Sequence, residues 1–247
     1  MAIAAKISPT ELEAQVESRF VGKYLEARLI NAPGTQYIPG TTVDATFLGF
    51  EVPITTGGYR RAVISYGAGD VTDYSDDGVA LNTKATTFAQ DGSATAINFS
   101  HVALCWSSGN ALGLSSPSVV PSIGADGTYT NVPMDTSASN GNSLTVNITV
   151  SNGGATTGDY SISIQQPGTG FIVGETVTIT EATLVGIGLT TIGSGGITFQ
   201  VSSVSTNADS GNIVGVAQTA TAATLSGGNE AVFYWNLKQF GFYSTSV

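Results

Sequence analysis

Charge is scarce in this chain, and positive charge scarcer still. Of 247 residues only 11% are charged, and Lys plus Arg number 8 against 18 acids, a formal net charge of −10. Soluble domains carry roughly 25% charged residues, so hydroxyls, amides and backbone must hydrate this surface. A field this negative argues against nucleic acid and anionic membranes as partners, because both are bound through cations facing phosphates. The cations are also confined. None lies between Lys84 and Lys238, a span that holds the eight acids Asp91, Asp126, Asp135, Asp159, Glu175, Glu181, Asp209 and Glu230. Cysteine occurs once, as Cys105 in the apolar run HVALCW, which excludes an intrachain disulfide or a cysteine zinc site and suggests a buried, inert thiol. Histidine occurs once, as His101. That excludes a multi-histidine metal site, and without a G-x-S-x-G elbow a serine relay has no support, so a structural histidine is expected. No apolar run approaches the ~18 residues of a membrane span, and the first fifteen residues show no signal-peptide core, so synthesis and folding in a cytoplasm are expected.

What is abundant is Gly (31 residues) together with Thr, Ser, Val and Ile, the composition of strands joined by tight turns. One helix is marked: Ser8-Pro9-Thr10-Glu11 has capping-box form, Leu12, Val16, Arg19 and Phe20 follow at helical spacing, and Gly22 is a stop. Period-two alternation then predicts strands at 24–30, 59–67, 82–88 and 95–106. A long aromatic strand follows at 231–243, with Phe233, Trp235 and Leu237 on one face and Val232 and Tyr234 on the other. Between them, 144–150, 160–165, 175–180 and 197–204 read as short strands separated by glycine turns, a pattern of small sandwiches or barrels. The expected fold is mainly β. An antiparallel sandwich or barrel with one N-terminal helix is built from 1–118 and 216–247, and a small β-sandwich-like domain, 119–215, is inserted in it. The final strand is expected to complete the first domain's sheet.

Two motifs resemble ligand sites. PGTGFIVGETVTI places Gly168, Gly170 and Gly174 in a G-x-G-x-x-x-G pattern close to dinucleotide fingerprints. Such a fingerprint needs a helix leaving the glycine turn, and Glu175–Thr180 is alternating and β-branched. Turns are therefore expected, with the chain reversing after Pro167 and Phe171 filling a small core. In DYSDDG, Asp73, Ser75 and Asp77 match the first half of a calcium loop, but the bidentate twelfth position falls on Lys84. A looser calcium site helped by Asp70 and Asp76 is the weaker alternative to a solvated acidic turn. No carboxylate pair is singled out for glycosidase chemistry. Tyr129, Tyr160, Phe171 and Tyr243 could stack on sugars or pack in a core or a subunit interface. No cofactor is implied.

The segments FVGKYLEARLINAP, EVPITTGGYRRAVISYG, LNTKATTF and ATAINFSHVALCWSSGNALGLSSP resemble a module of tailed-bacteriophage virion proteins. Glu51, Val52, Gly58, Tyr59 and Arg61 match its first signature. Asn82, Ala85 and Phe88 match the second, and Ile97, His101, Ala103, Leu104 and Leu112 the last apart from its spacing. The middle region, with GTYTNVPM (127–134), LTVNITV and PGTGFIVGETVTI, resembles a glycine-rich β repeat of marine, cyanophage-type structural proteins, in which the glycine segment is a turn feeding a strand. The resemblance implies a structural virion component, of a family whose members serve as tail, fibre or head proteins, and leaves the place on the particle open. A polar, weakly charged β-rich chain with no assembled chemical site, basic before residue 85, makes the expectation a non-enzymatic protein assembled in the host cytoplasm and decorating or cementing the outside of the capsid as a homotrimer. The major capsid protein would be its partner, with Arg19, Lys23, Arg28, Arg60 and Arg61 as docking residues. The alternative is a neck or tail fibre module that binds a host receptor or surface glycan.

Overall fold

The computed structural model describes residues 9–38, 44–54, 56–75, 78–117, 125–136, 141–154, 159–189 and 196–240; for residues 9, 73–75, 135, 136, 220 and 238–240 only the backbone is described. Helix α1 (Pro9–Phe20) buries Leu12, Val16 and Phe20, one residue per turn on a single stripe. Ser8, the expected cap, lies outside the described residues. Strand β1 (Tyr24–Ile30) is followed by a short helix α2 (Asp44–Leu48) and then by β2 (Ala62–Ser65), β3 (Val71–Ser75), β4 (Gly78–Leu81), β5 (Lys84–Ala89) and β6 (Ile97–Trp106). Next come β7 (Ala111–Leu114), β8 (Gly127–Pro133), β9 (Asp135–Thr136), β10 (Asn142–Val150), β11 (Tyr160–Thr169), β12 (Thr176–Ile179) and helix α3 (Glu181–Gly186). Strands β13 (Ile197–Val204), β14 (Ile213–Leu225), β15 (Glu230–Trp235) and β16 (Lys238–Phe240) complete the order. The fold is mainly β, and all pairings between these strands are antiparallel.

Two bodies emerge from the packing. In the first, the sheet β14-β6-β1-β2 carries apolar side chains on both faces. One face, with Leu25, Ala27, Leu29, Val102, Leu104 and Trp106, packs against α1, the β3–β4 hairpin and the β5–β15 ribbon. The other, with Ile30, Ala103 and Cys105, is covered by Ala32, Phe47 and Leu48 of the segment around α2. The second body is a sandwich of β11-β10-β8 and β7-β13-β12-β9, with Val146, Ile148, Val177, Ile179, Ile197 and Phe199 at its centre.

The first core draws on residues from 12 to 106 and again from 214 to 237; the second on residues from 111 to 204. Two details differ from the sequence reading. Ala111–Leu114, placed by sequence in the first domain, pairs with β13 and contributes Ala111 to the second core. The strand that completes the first sheet is β14, whereas the C-terminal aromatic segment splits into β15, paired with β5, and β16, paired with β4. The faces of β15 follow the expected alternation: Trp235 is buried and Phe233 packs on the core, while Val232 and Tyr234 point to solvent, Tyr234 at 73% exposure.

Candidate functional site

Two of the five cations expected to act outward, Arg28 and Arg61, are held in one internal cluster. Glu26, on β1, is 1% exposed, and a buried carboxylate requires a counter-charge. It receives the Arg28 guanidinium, and the Arg61 guanidinium stands 3.6 Å from its other oxygen. Arg61 also grips Glu51 through two parallel bonds of 2.7 Å, the fork geometry in which arginine binds carboxylate best. Hydrogen bonding to Glu51 and the charges of Glu26 and Glu51 raise the Arg61 pKa despite its burial. The Tyr59 hydroxyl accepts from the Leu29 N–H at 3.0 Å and donates to Glu51 at 3.0 Å; burial and the charge of Glu51 hold its pKa well above 10.0. Thus Arg28 and Arg61, expected as docking cations, are committed to Glu26 and Glu51 inside the fold.

The other three cations expected to dock are placed differently. Arg19 is exposed on the last turn of α1, its guanidinium 5.8 Å from the centre of the Phe20 ring, and Lys23 Nζ lies 5.7 Å from that of Trp106. Phe20 contacts both Trp106 and Tyr66, and Lys84 sits over Tyr66 while pairing with Asp70 at 2.9 Å. Arg19, Lys23 and Lys84 therefore form one basic rim over three joined aromatic rings. Arg60 lies elsewhere, in a polar cleft of about 420 Å³ between β5 and the second body that is also lined by Asn131, Thr145, Gln166 and Glu230.

The glycine stretch forms the joint between the bodies. Gly168 (φ +59°), Gly170 (φ +80°) and Gly174 (φ +88°) all have left-handed backbones. The chain does not reverse after Pro167: β11 runs on to Thr169, and the chain crosses there from one sheet of the sandwich to the other, entering β12 at Thr176. Phe171 is buried, as expected, and its N–H donates to the Gly109 carbonyl at 2.8 Å, while Gly170 N–H donates to Ser108 at 3.0 Å. These partners belong to the link that leaves β6 of the first body. Asn110 donates to Ser107 Oγ and to the Gly168 carbonyl, and Ser107 Oγ donates to Thr169 Oγ1. A second tie runs from Arg61, whose N–H donates to Ser143 Oγ at 2.9 Å and whose carbonyl accepts from Gln166 Nε2. Glu175, also buried, accepts from the N–H groups of Gly141 and Ile172 and so fixes the far side of the turn.

The remaining candidates are placed as follows. His101 is buried, edge-on to Phe47, with Nδ1 2.9 Å from Ser100 Oγ and no hydrogen-bond partner at Nε2. Desolvation lowers its pKa below the ordinary 6.5, opposed in part by the Thr35 backbone. Cys105 is buried, and desolvation pushes its pKa up to about 12. Asp73 and Ser75 fall in the β3–β4 hairpin, but their side chains, with all of Asp76 and Asp77, lie outside the described residues. Asp70 accepts from Gly67 N–H and pairs with Lys84, interactions that lower its pKa. Among the described residues no group of three His, Cys, Asp or Glu side chains could hold a metal ion. Tyr129 and Tyr160 are half-buried against the second core, and Tyr243 lies outside the described residues.

Comparison with protein-family models, curated proteins and solved structures finds no match to this chain. The geometry leads to two predictions. A Cβ at Gly168 would collide with the Asn142 carbonyl and sit 2.8 Å from Leu144 N, whereas one at Gly174 meets nothing within 4 Å. Gly174→Ala then carries only the cost of the left-handed backbone, about 1 kcal/mol, and Gly168→Ala costs at least about 2 kcal/mol more in chemical denaturation because it overpacks as well. His101, once unfolded, takes up protons near 6.5 more readily than the folded form, so folding stability falls as pH drops below 6.5. Thermal melts across that range should show the slope, and His101→Gln should flatten it.

Proposed function

We propose that this chain is a non-enzymatic structural component of a tailed-phage virion, an external capsid decoration or cement protein acting as a homotrimer on the major capsid protein. The observation that carries this reading is the joint: two β bodies held together by hydrogen bonds around Gly168–Phe171, with half-buried ones at Arg61. Such coupling suits a particle-bound element that must transmit load. The sequence resemblance to virion modules points the same way. In this reading the first body docks through the basic rim of Arg19 and Lys23 and through Arg60, and the acidic second body projects outward. Arg28 and Arg61 act within the body by holding its frame. The fibre reading drew on exposed aromatics in the second body. Phe171 is 2% exposed, and Tyr129 and Tyr160 pack against the core, so these three rings do not form an exposed stacking cluster for glycan.

Cosedimentation tests the proposal: purified chain is added to shells assembled without it. Binding is expected, and the paired change Lys23→Glu and Arg60→Glu should weaken it by about tenfold or more through charge reversal at the contact. Failure of the wild-type chain to bind shells, or its location inside the shell in a virion density map, would overturn the reading.

A further inference from the structure

Strand β14 is one edge of the four-stranded sheet, and among the described residues no strand pairs with its outer side. Proteins normally guard such an edge with charge, proline or bulges. The thirteen residues IVGVAQTATAATL contain no charge and no proline. Bulges do guard both ends: the register with β6 shifts between Ile213 and Gly215 and again between Gln218 and Ala223, and Ile213 N–H is occupied by Asp44 at 3.0 Å. Between them lies an unguarded window, Gly215–Gln218, paired regularly with Leu104–His101.

A cavity lies on each face of the sheet beside β14; the first meets the strand at Val214, just before the window, and the second runs along the window itself. On one face, about 320 Å³ is bounded by Val16, Phe20, Val79, Leu81, Val214 and Leu237, with Arg19 also at the cavity. On the other, about 300 Å³ is bounded by Gln36, Tyr37, His101, Val216 and Gln218 among others. His101 Nε2, buried and without a partner, belongs to this second cavity. Because successive side chains of a strand point to opposite faces, a strand added to the window would send alternate side chains into the two cavities.

We infer that the Gly215–Gln218 edge is an acceptor site for a short extended segment of a different polypeptide. Backbone bonds to β14 give the affinity and the two cavities give the specificity. The apolar cavity takes an aromatic or branched side chain, and a residue three positions along, on the opposite face, offers a hydroxyl or amide towards His101, which pairs with Gln218 at the far end of the window. Charge sets the remaining preference. Arg19 is the charged side chain at these cavities, exposed and without an ion-pair partner among the described residues, so a carboxylate two positions from the anchor, on the same face, complements it. A second copy of β14 fits poorly: its Gly-Val-Ala-Gln window supplies neither a large anchor nor a carboxylate.

The test uses fluorescein-labelled synthetic peptides TDTFSTT and TKTFSTT, titrated with the full chain and followed by polarisation. The acidic peptide should bind about tenfold tighter, and Arg19→Glu should invert that order. Gln218→Lys, which charges the edge, and Leu237→Trp, which fills the apolar cavity, should each weaken binding of TDTFSTT by about tenfold. Circular dichroism identifies any variant that fails to fold. The inference is overturned if neither peptide binds the wild-type chain or if binding survives both Gln218→Lys and Leu237→Trp. It is equally overturned if the chain dimerises in sedimentation and Gln218→Lys abolishes the dimer, since the occupant would then be a second copy.

Discussion

A carboxylate taken almost wholly out of water must be answered by positive charge, and much of this structure is arranged around that requirement at Glu26. Glu26 sits in the middle of β1, flanked on the sheet by β2 and β6. Its answer comes from two arginines, and one of them, Arg61, has a backbone that reaches across to β10 and β11. The ion-pair cluster and the joint between the bodies thus share a residue. Removing one partner from such a cluster leaves an uncompensated charge, worth about 3–5 kcal/mol. Removing a single joint hydrogen bond costs about 1–3 kcal/mol if its partner stays buried. The cluster therefore costs more to break than any single joint bond, and it shares with the joint the tie made by Arg61.

The strand pattern was legible because one face of most strands is buried, which enforces alternation. Strands β1, β10, β13 and β15 could be read from Tyr24–Ile30, LTVNITV, ITFQVSSV and the faces of Phe233 and Trp235. Strand β14 was not legible. Its small residues and two bulges break the period, so the strand that completes the first sheet carries no clear alternation. The short helices were missed for a related reason. Helix α3 is six residues long, and its main signal is Thr180, whose hydroxyl accepts from Thr183 N–H. Helix α2, Asp44–Leu48, offers only five residues, too few to show a period.

At the candidate site, sequence gave the residue types but not their allegiance. Arg28 and Arg61 read as surface cations because positive charge normally stays in water. Glu26 and Arg28 are neighbours on one face of β1, but only the fold brings Glu51 and Arg61 to them. The glycines were read as turn residues; all three have left-handed backbones, with Gly168 still inside β11 and Gly170 and Gly174 in the crossing to β12. Their tie to the first body through Ser108, Gly109 and Asn110 is a tertiary fact with no local signal. The same folding that withdraws two arginines from the surface leaves Arg19, Lys23 and Lys84 stacked on one aromatic rim. Five of the chain's eight cations are thereby divided between an internal frame and a small external patch, with Arg60 apart from both in the cleft beside β5.

The two bodies are expected to open as one unit, because hydrogen bonds at Gly168–Phe171 join them and a further tie runs through Arg61 of the Glu26 cluster. Native-state hydrogen exchange measures this directly, by comparing amides of Val102–Leu104 in the first core with those of Val146–Ile148 in the second. The account predicts the same opening free energy for both sets, and a parallel loss in both when Glu26 is changed to Gln. Opening of the second set at least about 2 kcal/mol below the first, unaffected by Glu26→Gln, would show independent bodies and contradict it.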